Sequence, residues 1–145
     1  MYKHILIPTD SSELSEMAIR EGVALAKSLG ARVTGLTVFP TFHTFALDPM
    51  VVTDTPAQYE KDCAALGEKY LGVVETEAKR AGVPVDVVWK TNDHPWEAIL
   101  ETAVERTCDL VFMASHGRKG MSALIIGSET TKVLTHSKIP VLVCR

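Results

Sequence analysis

Two rhythms of hydrophobic positions alternate along this chain. Short, uninterrupted apolar runs rich in Val, Ile and Leu read as strands covered on both faces, and longer stretches with apolar residues every three or four positions read as amphipathic helices. Tyr2 to Pro8 is the first such run, and Asp10-Ser11-Ser12-Glu13 then supplies N-capping residues with acid in the first turn of a helix. Leu14, Ala18, Gly22, Leu25 and Leu29 share one face of that helix, and Gly30 ends it. Arg32 to Phe39 is a second strand, stopped by Pro40. Thr41 to Thr55 has no clear period and reads as an irregular loop, which at that length is often functional. A long helix starts near Pro56, with Tyr59, Cys63, Leu66, Tyr70, Val73 and Glu77 along its mostly apolar face and Ala81-Gly82-Val83-Pro84 closing it.

Val85 to Lys90 is a third strand. Asn92 and Asp93 are placed to cap the next helix, Pro95 suits its first turn, and Trp96, Ile99, Leu100, Ala103 and Val104 form its buried stripe. Asp109 to Met113 reads as a fourth strand, Ser128 to about Ser137 as a last helix, and Pro140 to Cys144 as a fifth strand. The order β-α-β-α-β-α-β-α-β, with no internal repeat, linker or low-complexity tract, predicts an α/β fold: a doubly wound five-stranded parallel sheet with helices on both faces and right-handed crossovers. With strand order 3-2-1-4-5 the winding reverses between the first and fourth strands, where such sheets bind ligands beyond their carboxyl ends. Pro8-Thr9-Asp10 then faces whatever follows the fourth strand.

Composition narrows the classes. A chain of 145 residues fits one domain, 1–145, that buries roughly two thirds of its unfolded surface. Hydrophobic residues at 46% and charged residues at 23% are ordinary for a soluble globular protein. The net charge of −3 argues against a nucleic-acid partner or an anionic membrane surface, each of which needs a broad basic face. Cys63, Cys108 and Cys144 have no paired spacing and read as reduced thiols. No segment resembles a signal peptide or nears the ~18 apolar residues of a membrane span, so a cytoplasmic location is expected.

The candidate chemistry lies in Ala114 to Ser128, which follows the fourth strand. Gly117, Gly120 and Gly127 stand there among small, hydroxylated and basic residues, and Ser128 is placed to cap the helix that follows. Glycines let backbone N–H groups converge on a ligand, and a helix start offers unpaired N–H groups and partial positive charge to a phosphate. An ordinary strand-to-helix connection has the same composition. The stretch is neither a Walker loop nor the G-x-G-x-x-G dinucleotide fingerprint.

At these residues the chain resembles the universal stress protein family over essentially its whole length. The resemblance rests on I-L-I-P-T-D-S-S-E near the start, on G-V-P-V-D-V, and on S-H-G-R-K-G-M-S-A-L-I-I-G-S-E-T-T-K-V-L-T-H-S-K-I-P-V-L-V. ATP-binding members carry G-x2-G-x9-G followed by Ser or Thr. Gly117, Gly127 and Ser128 match its last three positions, and Ala114 replaces the first glycine. The resemblance implies a Rossmann-like fold that binds adenine nucleotide: ATP, or ADP or AMP, with Mg2+ arriving only on the triphosphate. By it, Asp10 contacts the adenosine part, Pro8 and Val38 line the base and ribose pocket with Thr9 beside them, and Gly117, Gly127 and Ser128 hold the phosphates. His116 and Arg118, with Lys119, are further phosphate candidates or simply a solvated basic turn. Glu129 at the helix start repels phosphate by something like 0.3–1 kcal/mol if exposed. At Ala114 the added methyl costs ~1 kcal/mol or more if the backbone there needs positive φ.

Other residues carry less. His4, His43, His94 and His136 lack metal-ligand spacing, and Trp89 and Trp96 read as core. There is no G-x-S-x-G elbow, no Cys with a His base and no identifiable base for water, so an efficient enzyme is not expected and ATP hydrolysis would at most be slow. The strand Pro140 to Cys144 is apolar on both faces, and family members look like homodimers joined through it. The expected function is a nucleotide-dependent regulator in stress responses. The competing readings are a dimeric interaction protein that binds no nucleotide, and a slow ATPase.

Overall fold

A computed structural model describes residues 1–45, 47, 55–117 and 125–145. Arg118, Lys119 and Gly120 of the glycine stretch lie outside them, as does most of the expected loop after Pro40.

The elements are β1 (His4–Pro8), α1 (Glu13–Leu29), β2 (Arg32–Phe39), α2 (Phe42–Phe45), α3 (Pro56–Ala81), β3 (Val85–Thr91), α4 (Pro95–Glu105), β4 (Leu110–Ala114), α5 (Ser128–His136) and β5 (Val141–Cys144). The strands form one five-stranded parallel sheet in the order β3-β2-β1-β4-β5. β1 sits at its centre, with Ile5 opposite Val33 of β2 and Leu110 of β4. Successive residues of a strand point to opposite faces, so Ile5 and Ile7 enter one core with α1 and α3, while Leu6 enters the other with α4 and α5. All three are fully buried, each worth about 1.5–3 kcal/mol of apolar burial. A sheet covered on both faces is why these strands are continuous apolar runs.

Local signals in α1 were legible. Ser12 is its N-cap, with the hydroxyl accepting from Ser15 N–H, and Gly30 ends it in the left-handed conformation at φ 65°. The buried face is broader than the Leu14-Ala18-Gly22-Leu25-Leu29 line, because Ser15, Ile19, Val23 and Ala26 also turn inward.

Three expectations need correction. The buried stripe of α3 is Tyr59, Cys63, Gly67, Leu71, Val74 and Ala78, leaving Leu66 and Val73 exposed. Gly67 explains the rotation: a Cβ there would stand 3.2 Å from Trp89 Cβ, so the backbone of α3 lies directly on β3. On α4, Val104 is 78% exposed rather than buried, and Ala98, Ile99, Thr102 and Ala103 face the core. The stretch after Pro40 is not wholly irregular, since Phe42–Phe45 forms a helical turn whose rings pack on Tyr59. Trp96, half-buried, packs against the α4–α5 side core as expected and stacks on His136 with ring centroids 4.6 Å apart.

Among the described residues no helix is long and apolar enough to cross a membrane. Burial raises the pKa of all three cysteine thiols, Cys108 to about 11, which keeps them protonated and poorly nucleophilic.

Candidate functional site

β1 and β4 are neighbours at the centre of the sheet, and the chains leaving their carboxyl ends depart to opposite faces, β1 into α1 and β4 toward α5. The doubly wound topology therefore puts the candidate site between these two exits.

The first wall is Pro8-Thr9-Asp10. Thr9 N–H still donates to Leu36 O at 2.8 Å, extending the β1–β2 pairing by one residue, and the buried Thr9 hydroxyl lies 3.1 Å from Ser15 Oγ. Ser11 then takes a left-handed conformation, φ 64°, unusual for a residue with a Cβ. Its amide donates to Thr9 Oγ1, and Ser12 N–H donates to Asp10 Oδ1 at 3.0 Å. Asp10 is thus not the helix cap, which is Ser12. It closes the turn with one oxygen while the other reaches the second wall.

That second wall starts where β4 ends. Ser115 N–H donates to Cys144 O at 2.7 Å, and Gly127 N–H donates to Ser115 O at 2.7 Å, so residues far apart on the loop return to one point. Thr130 Oγ1 donates to Ala114 O at 3.0 Å and ties α5 to the end of β4. A Cβ at Gly127 would lie 3.1 Å from His116 Cα, so a side chain there would push the two backbones apart by a few tenths of an ångström, whereas its own φ of −61° is open to any residue. A Cβ at Gly117 would collide with Asp10 Oδ2. The two walls meet at Asp10 and Gly117.

Several sequence expectations change at this point. Ser128 does not cap α5: the N-cap is Gly127, with no side-chain bond, and Ser128 is the exposed first helical residue. Its position comes from the Gly127–Ser115 bond, a tertiary contact invisible to capping statistics. Ala114 does not need positive φ, since Ser11 and Thr107 are the non-glycine residues so placed among those described, and its methyl joins the Ile7 and Phe112 core. The predicted strain is absent. Glu129 does not point its charge at the helix start it occupies. Its Oε2 accepts from Trp96 N–H at 3.0 Å and its Oε1 pairs with Lys132 at 3.3 Å, so it serves α4, whose N-cap His94 makes no side-chain cap. Asn92 and Asp93, expected as that cap, bond instead to His94 N–H and to Thr41.

Val38 is half-buried at the end of β2 and packs on the α4–α5 side core, on the same sheet edge as Pro8 and Thr9. His116 Nδ1 lies 3.1 Å from Ser115 Oγ, beside the returning backbone at Gly127. Asp10, His116, Gly117 and Gly127 are brought together beyond the carboxyl ends of β1 and β4, with Pro8 and Thr9 leading into Asp10, Ala114 ending β4, Ser128 following Gly127, and Val38 near the end of β2. Sequence reasoning missed Thr130, whose only signal was its place one turn into α5.

An anion at the start of α5 meets the N–H groups of the first turn and the positive end of the helix dipole, with glycines on both sides of the approach. Known proteins share this fold. Universal stress protein MJ0531 of Methanocaldococcus jannaschii is 28% identical over 148 residues, covering 100% of this chain and 83% of that protein. The solved structure of MJ0577, from the same organism, superposes with a TM-score of 0.83 at 26% identity, covering 99% of this chain and 96% of that one. A universal stress protein from Archaeoglobus fulgidus solved in complex with dAMP has a TM-score of 0.71 over 99% of this chain and 98% of its own; at 14% identity it shows a common fold. Residues 1–145 match the universal stress protein family from end to end, and with the five-stranded sheet order in agreement, this chain belongs to that family.

Proposed function

We propose that residues 1–145 act as one domain that binds an adenine nucleotide, ATP foremost, in the crevice between the exits of β1 and β4, as a cytoplasmic nucleotide-dependent regulator in stress responses. The observation that carries this reading is the contact of Asp10 with Gly117, which brings an acceptor for adenosine hydroxyls against the turn leading to the α5 phosphate site. Pro8, Thr9 and Val38 line the base and ribose, while His116, Gly117, Gly127 and Ser128 take the phosphates; Arg118 lies outside the described residues. Mg2+ arrives with the triphosphate. The dAMP complex of the Archaeoglobus relative supports adenine nucleotide as the ligand class. The turning of Glu129 toward Trp96 supports it further, because the acid most able to repel phosphate is held elsewhere.

Ligand released from freshly purified protein and identified by mass spectrometry tests the reading, together with calorimetry against ATP, ADP and AMP in Mg2+. Saturable heat with ATP is the expected result, and neither co-purified nucleotide nor heat with any of the three overturns it. One observation favours a second role for the same molecule: β5 is an edge strand with Leu142 40% exposed, a surface suited to pairing with a second copy. A dimer that forms through Val141–Cys144 and binds no nucleotide is the signature of a purely interaction-based function.

A further inference from the structure

We infer that Asp93, one strand removed from the crevice, is a positioning residue for the base end of the bound nucleotide, because its carboxylate pins the chain leaving β2 at Thr41; this rests on the nucleotide reading above. Thr41 N–H donates to Asp93 Oδ1 at 3.0 Å, and Thr41 Oγ1 lies 3.0 Å from each carboxylate oxygen. A second clamp holds the preceding residue, with Tyr59 Oη donating to Pro40 O at 2.5 Å. Phe42 and Phe45 then pack on the Tyr59 ring, with Phe45 stacked at 4.3 Å between centroids. The segment Pro40 to Phe45 is thereby fixed at both backbone and side chain, immediately after Val38 and Phe39.

Its place gives the clamp a consequence for recognition. With phosphates at the start of α5, beyond β4, a nucleotide laid across the carboxyl edge of the sheet carries its base over β1 toward β2. The chain leaving β2 is the wall met there, and its direction is set by bonds to α3 and to the turn after β3. Asp93 stands two residues before Pro95, where a carboxylate ordinarily serves the helix start, yet its bonds run to Thr41. The Thr41 amide, aided by the Thr44 and Thr41 hydroxyls, holds the Asp93 carboxyl below its usual pKa, so the charged form that makes the clamp is the one present at neutral pH.

The inference predicts a change in base selectivity rather than a general loss. In calorimetry on the full chain with Mg2+, Asp93→Ala lowers ATP affinity by about tenfold while GTP and inorganic tripolyphosphate bind as to the unaltered protein, so discrimination between the two bases narrows. Asp93→Asn, which keeps an acceptor for the Thr41 amide, restores part of it. Tyr59→Phe, which removes the other clamp, changes selectivity in the same direction. Hydrogen exchange at the Thr41 amide accelerates in Asp93→Ala. An unchanged ATP to GTP ratio in Asp93→Ala overturns the inference, whether both affinities stay or both fall together, and so does an unaltered Thr41 exchange rate. Failure of the unaltered protein to bind ATP instead removes the nucleotide reading, and this role with it.

Discussion

A methyl group at position 117 has the Asp10 carboxylate in its way. The obstacle is the tip of a flexible side chain, which yields at little cost to folding but gives up its place against the glycine turn. Gly117→Ala is therefore expected to leave the thermal midpoint within a few degrees of its original value while weakening ATP binding by about tenfold or more, some 1.4 kcal/mol. Calorimetry beside a melting curve separates the two effects. At the opposite edge of the sheet stands His4, 4% exposed, with Nε2 at 2.7 Å from Thr34 Oγ1. Thr34 donates its one hydroxyl proton to Asp86 Oδ1, whose carboxylate also receives Arg106, so Nε2 of His4 carries the proton and Nδ1 is left buried without a partner. Burial lowers its pKa below 6.5, Arg32 adds to the effect, and Asp86, the Arg106 backbone and Asp109 oppose it. A neutral imidazole in the fold and an ordinary one in the unfolded chain mean that stability is full above about pH 6.5 and is lost as pH falls through 6.5 toward the lowered folded value. Denaturant titrations at a series of pH values should show that acid limb, flattened in His4→Gln.

Helices in this molecule complete one another. The start of α4 has proline at N1 and no side-chain cap of its own, and a carboxylate from α5 fills the gap at Trp96 N–H. Glu129→Ala is expected to destabilise the fold by about 1 kcal/mol, the usual value of a cap, read as a lower urea midpoint. Glu129→Gln retains an acceptor and loses less. Neither substitution should weaken ATP binding, because the charge removed is no ligand for phosphate; a large loss of affinity would place Glu129 in the site after all. A comparable dependence runs between α3 and β3. Capping at Ser12, Gly30 and Gly82 was readable from neighbouring residues, since each involves side chains or conformations within one turn. Which residues of α3 turn inward was not, because Gly67 against Trp89 is a contact between elements and sets the rotation of the whole helix.

At the scale of the molecule, strand order decides both the crevice and the open edges. β1 beside β4 is what brings Asp10 to Gly117 across more than a hundred residues of chain. β5 at the margin leaves Leu142 40% exposed beside a free strand edge. If copies pair there, Leu142→Lys places charges in the interface and is expected to shift the protein toward monomer in light scattering, by at least about tenfold in dimer affinity, with the melting curve of the monomer little changed. Persistence of the dimer would place the contact on another surface.

Periodic burial and chain punctuation were enough to establish alternating strands and helices, a doubly wound sheet and the two turns that face each other, because those patterns follow from 2.0 and 3.6 residue repeats and from residues that start or stop helices. The family resemblance likewise marked Asp10, and its motif marked Gly117, Gly127 and Ser128. Tertiary structure alone decided how those residues are used: Ser128 inside rather than capping α5, the Ala114 methyl unstrained in the core, Glu129 turned to α4 and Asp93 to Thr41. Each of these depends on a hydrogen-bonding group or a van der Waals surface supplied by a distant segment, and no local pattern encodes where such a segment will arrive.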